Sequence, residues 1–291
     1  MIDYPRQSWL PLLLAIKGTV LPRVAIRTLL LAGIALGLTA LAQQGIFKVD
    51  VPSLAHSLIG VALGLLLVFR TNASYDRYWE GRKQWGAIVN TCRNLVRAAA
   101  SYTRNPAPVA ELVTAYALAL KQHLRGEKSL DELRSVLPGR GSLVDDLTTR
   151  GNPPVYLALH VSRWIDTQVR AGATSEGGLA PEFARTLEGY VAALLDAQGA
   201  CERILRTPMP FAYVVHIRQL LILYLVSLPF VLVGPLGWSA PVAVAFIAFG
   251  LLGIEEIGVE IEDPFGTDPN DLPVDAMCAT IARDVKMLSV G

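Results

Sequence analysis

The residues with the clearest potential for chemistry form an acidic stretch at positions 255–273. It reads Glu-Glu-Ile-Gly-Val-Glu-Ile-Glu-Asp-Pro-Phe-Gly-Thr-Asp-Pro-Asn-Asp-Leu-Pro and directly follows a hydrophobic run at 241–254. Carboxylates do not remain in hydrocarbon without a partner, and Pro and Gly give the stretch turns of defined shape. The stretch therefore marks either the water boundary of a membrane segment or an ion path.

Within this stretch, Asp268 and Asp271 have the spacing of a cation site. They lie three positions apart, with Pro269 and Asn270 between them. Ca²⁺ takes about six to eight oxygen ligands, of which two carboxylates and nearby backbone carbonyls supply only part. The residues alone leave two interpretations open, a solvated helix end and a bound metal ion.

The sequence contains none of the common catalytic motifs. The chain contains neither a Gly-x-Ser-x-Gly elbow, nor a phosphate-binding Gly-rich loop, nor a His-Glu-x-x-His zinc motif. The histidines are scattered, and the three cysteines are odd in number and far apart, which argues against a zinc site and a disulfide framework. We therefore predict a protein that is not an enzyme, with no catalytic residues. The residues concerned are His56, His123, His160, His216, Cys92, Cys201 and Cys278, and the cysteines are predicted to be small buried residues.

The composition indicates a membrane protein. Of 291 residues, 52% are hydrophobic and 18% are charged, and the mean hydropathy is +0.41. Apolar segments at 26–43, 51–69, 220–238 and 241–254 predict four membrane-spanning helices, the last of them short. A net charge of +1 without a block of Lys and Arg excludes a nucleic-acid partner.

The distribution of basic residues predicts the orientation in the membrane. Four basic residues lie before or at the start of the first apolar segment and four follow the second, whereas the loop between them contains only Lys48. We expect an N-terminus without a removed signal peptide, an external loop at 44–55, and both termini in the cytoplasm. The flanking residues are Arg6, Lys17, Arg23 and Arg27, then Arg70, Arg77, Arg82 and Lys83.

The remaining segments predict an all-α protein. Helical periodicity recurs at 111–124 and 185–205, and strand signals are almost absent. We expect membrane helices that continue into a helical cytosolic domain. The predicted organisation is a cytosolic N-terminal segment at 1–25, two spans at 26–69, a helical cytosolic region at 70–218, two spans at 219–258, and an acidic turn with a C-terminal helix at 259–291.

The second apolar segment contains a stripe that could line a pore. Val61, Leu65 and Phe69 repeat every four residues, and Gly60 and Gly64 permit close helix packing. Stripes from several subunits would form a hydrophobic constriction. A stripe that faces lipid or the helix bundle is the alternative. Charges of both signs and aromatic residues from position 70 to 85 predict that this helix continues beyond the membrane.

Three groups of residues resemble the bestrophin family, and specifically its bacterial branch. The strongest is Glu-Asp-Pro-Phe-Gly-Thr-Asp-Pro-Asn-Asp-Leu-Pro at 262–273. The others are Phe-Arg-Thr-Asn-Ala at 69–73 with Tyr-Asp-Arg-Tyr-Trp-Glu at 75–80, and Cys-Glu-Arg-Ile at 201–204 leading to Thr-Pro-Met-Pro-Phe-Ala-Tyr at 207–213. The resemblance implies a homopentameric ion channel in the bacterial inner membrane, with four membrane helices per subunit around one axial pore. Its partners would be the lipid bilayer, other copies of the chain, and small inorganic ions.

The resemblance also implies roles for particular residues. The narrow neck of the family matches Val61, Leu65 and Phe69, and a second, cytosolic aperture matches Leu179 and Glu182. A ring of Glu182 carboxylates would favour monovalent cations such as sodium or potassium over chloride. If the register shifts by one residue, Phe183 faces the pore instead.

Animal members of the family bind Ca²⁺ through an acidic clasp, whose two principal carboxylates match Asp268 and Asp271. Pro269 and Asn270 replace acidic residues of that clasp, and a lower ligand charge weakens calcium affinity. We therefore expect no required cofactor and weak or absent binding of calcium or another cation. The alternative function is a non-conducting membrane scaffold or sensor that binds a partner through its cytosolic helices. A transporter or membrane enzyme is disfavoured because, among ionisable groups, only His56 lies near a span.

Overall fold

The computed structural model describes residues 15–46, 52–129, 131–174 and 179–290. Within these residues the chain forms ten α-helices, one short 3₁₀ helix at Gly237–Ser239, and no β-strand, which confirms the all-α prediction. The helices are α1 (Leu21–Gln43), α2 (Ser53–Tyr102), α3 (Ala107–Arg125), α4 (Asp131–Val136), α5 (Gly141–Thr148), α6 (Pro153–Thr174), α7 (Pro181–Arg206), α8 (Phe211–Leu236), α9 (Ala240–Glu260) and α10 (Val274–Val290).

Prolines mark where several of these helices begin. Proline occupies the first or second position of α1, α3, α7 and α9. Its fixed φ suits the first turn, and its missing N–H removes a donor that would have no partner there. At the other end, Gly126 follows α3 with a φ of 67°, a left-handed conformation that glycine adopts without a steric penalty.

Three described stretches are long and apolar enough to cross a membrane: α1, α2, and the continuous stretch Phe211–Glu260. The last of these contains α8 and α9, joined by the 3₁₀ helix. The four predicted apolar segments therefore coincide with helices. Two of the helices extend beyond their apolar segments, since α8 begins at Phe211, before position 220, and α9 continues to Glu260, past position 254. In α9, carboxylates with cationic partners extend the helix beyond the apolar run.

The helices form two compact units, and the first contains most of the apolar segments. It comprises the described residues up to Tyr78, residues 208–263 and residues 268–270. In it, α1 packs against α8 and α9, and α8 packs against α9. The core is aliphatic and is built from Val24, Leu31, Ala35, Leu63, Leu67, Ile217, Leu221, Leu225, Leu228, Val244, Ala248 and Leu252.

The second unit is a helical domain built from residues 79–207, 264–267 and 271 onward. It contains the second half of α2, helices α3 to α7, and α10, with large buried side chains such as Trp85, Tyr116 and Leu120. The cysteines are free and buried, as predicted. Burial raises the pKa of the Cys201 and Cys278 thiols to about 12, so both remain protonated at neutral pH.

The helix α2 is continuous over 50 residues, which confirms the prediction that this helix continues beyond the second apolar segment. The predicted boundary at Phe69 is the end of an apolar segment in the sequence. The two compact units are defined by packing instead, and the division between them within α2 falls after Tyr78. Parts of the predicted N-terminal segment and external loop, and residues 175–178 before the predicted aperture, lie outside the described residues.

Candidate pore-lining site

The predicted neck residues lie on the face of α2 that turns away from the core of the first unit. The side chains of Val61, Leu65 and Phe69 are 74%, 55% and 56% exposed. On the opposite face, Leu63 and Leu67 are each 1% exposed. Because a helix rises about 1.5 Å per residue, the three exposed side chains extend over about 12 Å. The stripe is therefore exposed along this face in a single subunit, and its role as a pore neck stays a prediction.

The orientation of this face is fixed by Arg70, the residue after Phe69. Its side chain is 1% exposed, and its Nη1 lies 2.6 Å from Glu255 Oε1 on α9. The same carboxylate oxygen accepts a hydrogen bond from Arg218 Nε on α8 at 2.9 Å. A buried charge is tolerated when it is paired and hydrogen-bonded, so this network ties α2 to both helices of the α8–α9 pair.

A second carboxylate extends this network. Glu262 lies 4.0 Å from Arg70 Nη2 and accepts a hydrogen bond from the backbone N–H of Met209 at 3.1 Å. The backbone carbonyl of Glu262 accepts a hydrogen bond from Arg77 Nε at 3.1 Å. Two arginines of α2 are therefore held by the segment that follows α9. These pairs were not predicted from the sequence, although Arg70 and Glu255 each directly follow an apolar run, which indicates charges that need a partner.

Three further carboxylates of the acidic stretch contact Arg23 of α1. Arg23 lies 3.8 Å from Glu256, 3.6 Å from Glu260 and 3.3 Å from Asp268. The Asn270 amide donates to the Gly18 carbonyl at 2.9 Å and to Glu260 at 3.0 Å. The carboxylates at the end of α9 are therefore neutralised by arginines, which accounts for their position beside an apolar run.

In the second unit, the Pro-Phe-Gly segment is a packed turn. Phe265 is 1% exposed, and its carbonyl accepts a hydrogen bond from Arg125 Nε at 3.3 Å. The backbone N–H of Leu272 donates to the Pro264 carbonyl at 3.0 Å. A Cβ atom at Gly81 would lie 3.1 Å from Pro264 and 3.2 Å from Phe265, so glycine permits this turn to approach α2 closely.

The two predicted calcium ligands are placed differently. Asp268 is half-exposed and interacts with Arg23, whose guanidinium group would compete with a metal ion. Asp271 is buried in the second unit. Among the described residues, no group of three or more His, Cys, Asp or Glu side chains has the arrangement of a metal site. Weak or absent cation binding at Asp268 and Asp271 stays a prediction.

The predicted aperture residues also differ in exposure. Leu179 is 2% exposed, and its backbone N–H donates to the Gln168 carbonyl at 3.1 Å. Glu182 is exposed in the first turn of α7. Phe183, the residue considered if the register shifts, stacks on Tyr102 with ring centroids 4.0 Å apart. Glu182 is therefore the better placed of the two predicted residues to face a pore, and the aperture stays a prediction.

His56, the ionisable residue predicted to lie near a span, has protein partners within the first unit. Its Nε2 lies 3.1 Å from Ser227 Oγ and 3.3 Å from the Tyr224 carbonyl, and its ring stacks on the Tyr224 ring at 4.2 Å. These contacts join α2 to α8. They describe a packing role for His56 at the start of α2.

Comparisons with known proteins find relatives over nearly the full length of the chain. Residues 1–287 match the family described as Bacterial/Fungal Bestrophin protein. The voltage-dependent anion channel-forming protein sll1024 of Synechocystis sp. is 39% identical over 289 residues, covering 96% of this chain and 91% of that protein. The voltage-dependent anion channel-forming protein YneE of Escherichia coli strain K12 is 31% identical over 294 residues, covering 99% of this chain and 94% of that protein.

A solved structure shows the same fold. The crystal structure of a bacterial bestrophin homolog from Klebsiella pneumoniae superposes with a TM-score of 0.82 at 29% identity, covering 94% of this chain and 99% of that one. The family match and the three apolar stretches show that the chain is a membrane protein. The chain belongs to the bacterial and fungal bestrophin family.

Proposed function

We propose that this chain is the subunit of an ion channel that conducts small monovalent ions passively through an axial pore formed by five copies of α2. The observation that carries the proposal is the uncovered stripe of Val61, Leu65 and Phe69, held outward by the buried Arg70–Glu255 pair. Membership of the bestrophin family and the printed names of the curated relatives support conduction.

The proposed topology has four membrane crossings, with α1, the first part of α2, α8 and α9 in the bacterial inner membrane. Both termini and the second unit then lie in the cytoplasm. The paired basic and acidic residues at the end of α9 and the start of α1 support one shared membrane boundary for these helices. Three apolar side chains in a ring of subunits would control ion passage by excluding water when the neck is narrow.

For the preferred ion, we propose monovalent cations, on the basis of the exposed Glu182. Five carboxylates around one axis would concentrate cations at the cytosolic aperture. The names of the curated relatives describe anion channels and favour chloride as the second candidate.

The test is the reversal potential of the purified protein in a planar bilayer under a KCl gradient. We expect a potential displaced toward the potassium equilibrium potential, and a smaller displacement in Glu182→Gln. Asp196→Asn removes one carboxylate from another exposed position of α7 and should behave as the parent.

A reversal potential displaced toward the chloride equilibrium potential, and unchanged in Glu182→Gln, would contradict the cation preference. It would still be consistent with an ion channel. Folded, oligomeric protein without conductance in any salt would instead favour the scaffold or sensor.

A further inference from the structure

The first unit contains a groove at the seam of α1, α8 and α9 that does not involve the stripe on α2. Its cavity volume is about 350 Å³. The groove combines charged and apolar side chains, and its lining includes Arg27, Arg218, Leu221, Ile222, Glu255 and Glu256.

The rim of the groove is cationic. The side chains of Arg27 and Arg218 are 58% and 50% exposed. Arg27 approaches a carboxylate through Nη1 alone, at 3.5 Å from Glu256, and Arg218 does so through Nε alone, at 2.9 Å from Glu255. Within the described part of the chain, no further acceptor contacts either guanidinium group. Each arginine therefore retains outward-facing N–H donors.

The two carboxylates form the floor of the groove. The Glu255 and Glu256 side chains are 5% and 13% exposed. Each also contacts a second arginine: the buried Arg70 lies 2.6 Å from Glu255, and Arg23, whose side chain is 41% exposed, lies 3.8 Å from Glu256. Arg23 is shared with Glu260 and Asp268. Each of the two carboxylates therefore has two arginine partners, and the guanidinium groups of Arg27 and Arg218 are more exposed than the carboxylates beside them.

One wall of the groove is apolar and continues along α8. Ile222 lies one helical turn after Arg218 and is 59% exposed, and Val226 extends this surface by a further turn. A pair of arginines beside an apolar helix surface at a membrane boundary is complementary to a phospholipid. The phosphate of such a lipid is anionic and lies next to its apolar acyl chains.

We propose that this groove binds a phospholipid of the bilayer, with the lipid phosphate between Arg27 and Arg218 and an acyl chain along Ile222 and Val226. Guanidinium groups bind phosphate oxygens through several N–H donors at once. A free phosphate ion would share the arginines but would leave the apolar wall unused. The inference rests on the membrane embedding in the proposed function and does not depend on conduction.

The test is the thermal unfolding midpoint of the purified full-length oligomer in detergent, measured with three additives. These are dioleoyl phosphatidylglycerol, diacylglycerol with the same chains, and inorganic phosphate. We expect phosphatidylglycerol alone to raise the midpoint. The double variant Arg27→Gln/Arg218→Gln should lose at least half of that shift. Arg97→Gln, which removes an exposed arginine from α2 in the second unit, should keep it.

An equal shift from diacylglycerol or from inorganic phosphate would overturn the proposal, as would a full shift in the double variant. Should the double variant fail to fold, Arg27→Gln alone replaces it, because Arg27 makes only a 3.5 Å contact. Native mass spectrometry of the parent gives a second readout, in which phosphatidylglycerol should remain bound in preference to diacylglycerol. Neither readout uses ion flux. A failure of the lipid-binding proposal can therefore be distinguished from a failure of the channel proposal.

Discussion

At the scale of single residues, the buried guanidinium of Arg70 sets the direction in which Phe69 points. Successive helical residues are rotated by about 100°, so a side chain fixed toward the core turns its neighbour away from it. Arg70 is held by Glu255, which is 185 positions away in the sequence. The exposed neck stripe therefore depends on a long-range ion pair as well as on its own apolar residues.

The first prediction concerns this pair. Glu255→Gln removes the carboxylate shared by Arg70 and Arg218, and it leaves the buried Arg70 charge with only Glu262 at 4.0 Å. Breaking a buried ion pair in this way costs about 3–5 kcal/mol. We expect a loss of that size in the free energy of unfolding, measured by denaturant titration in detergent.

The control is Arg134→Gln, which breaks an ion pair with Asp145 whose side chains are 52% and 64% exposed. Exposed pairs contribute about 0–1 kcal/mol, so this variant should differ little from the parent. Equal losses in the two variants would show that the Arg70–Glu255 pair does not hold α2.

At the scale of elements, the two glycines of the second apolar segment have different environments. A Cβ at Gly60 would lie 2.6 Å from the Tyr224 hydroxyl, whereas a Cβ at Gly64 would have no atom of the described residues within 4 Å apart from its own helix backbone. Gly60 therefore provides the close approach between α2 and α8. Gly64 is available for contacts outside the described subunit.

The second prediction follows from this difference. Gly60→Ala displaces Tyr224 from its stack on His56 and should lower the free energy of unfolding by about 1–3 kcal/mol, as small-to-large changes in packed sites do. Gly64→Ala should be neutral or stabilising by up to about 1 kcal/mol, because alanine favours the helix. Urea unfolding of the two variants measures the contrast, and equal effects would contradict the assigned contact.

The third prediction concerns the joint between α3 and α10 in the second unit. Asp275 accepts hydrogen bonds from Arg125 at 2.8 Å and 3.2 Å and from Lys121 at 3.1 Å. The bonds from Arg125, outweighing desolvation, lower the pKa of the Asp275 carboxyl to about 2. Because the folded-state pKa lies below the unfolded value, this joint stabilises the fold above about pH 4 and loses its effect as the pH falls toward 2.

We therefore expect Asp275→Asn to be less stable than the parent at pH 7, and the difference to shrink between about pH 4 and 2. The effect should be small, because the carboxylate is 64% exposed and is screened by solvent. Denaturant unfolding across this pH range is the measurement. A difference that stays constant with pH would show that the Asp275 charge does not stabilise the joint.

At the scale of the whole molecule, hydropathy and helical periodicity predicted the all-α class, the places of the apolar helices and the continuation of α2 beyond Phe69. The burial of the cysteines also followed from their isolation in the sequence. These features depend on local patterns that a sequence records directly.

Features that depend on distant partners were not predictable in the same way. The pairing of Arg70 with Glu255, the contact of Gly60 with Tyr224 and the burial of Leu179 arise from packing between segments far apart in the chain. Hydropathy cannot identify which of several helix faces meet. Motif resemblance identified the acidic turn without indicating that Arg23 would neutralise part of it.

We propose that ions pass along the stripe of Val61, Leu65 and Phe69 on α2. Ion efflux from proteoliposomes tests this proposal most directly. Parent protein, Phe69→Ala and Phe246→Ala would be compared in KCl and in a salt of an impermeant anion. Phe246 is an exposed phenylalanine of α9 and is the matched control. We predict efflux from the parent, a higher rate in Phe69→Ala because the neck is widened, and a parental rate in Phe246→Ala. Absence of efflux from folded, oligomeric protein, or the same rate in Phe69→Ala as in the parent, would contradict a pore through α2.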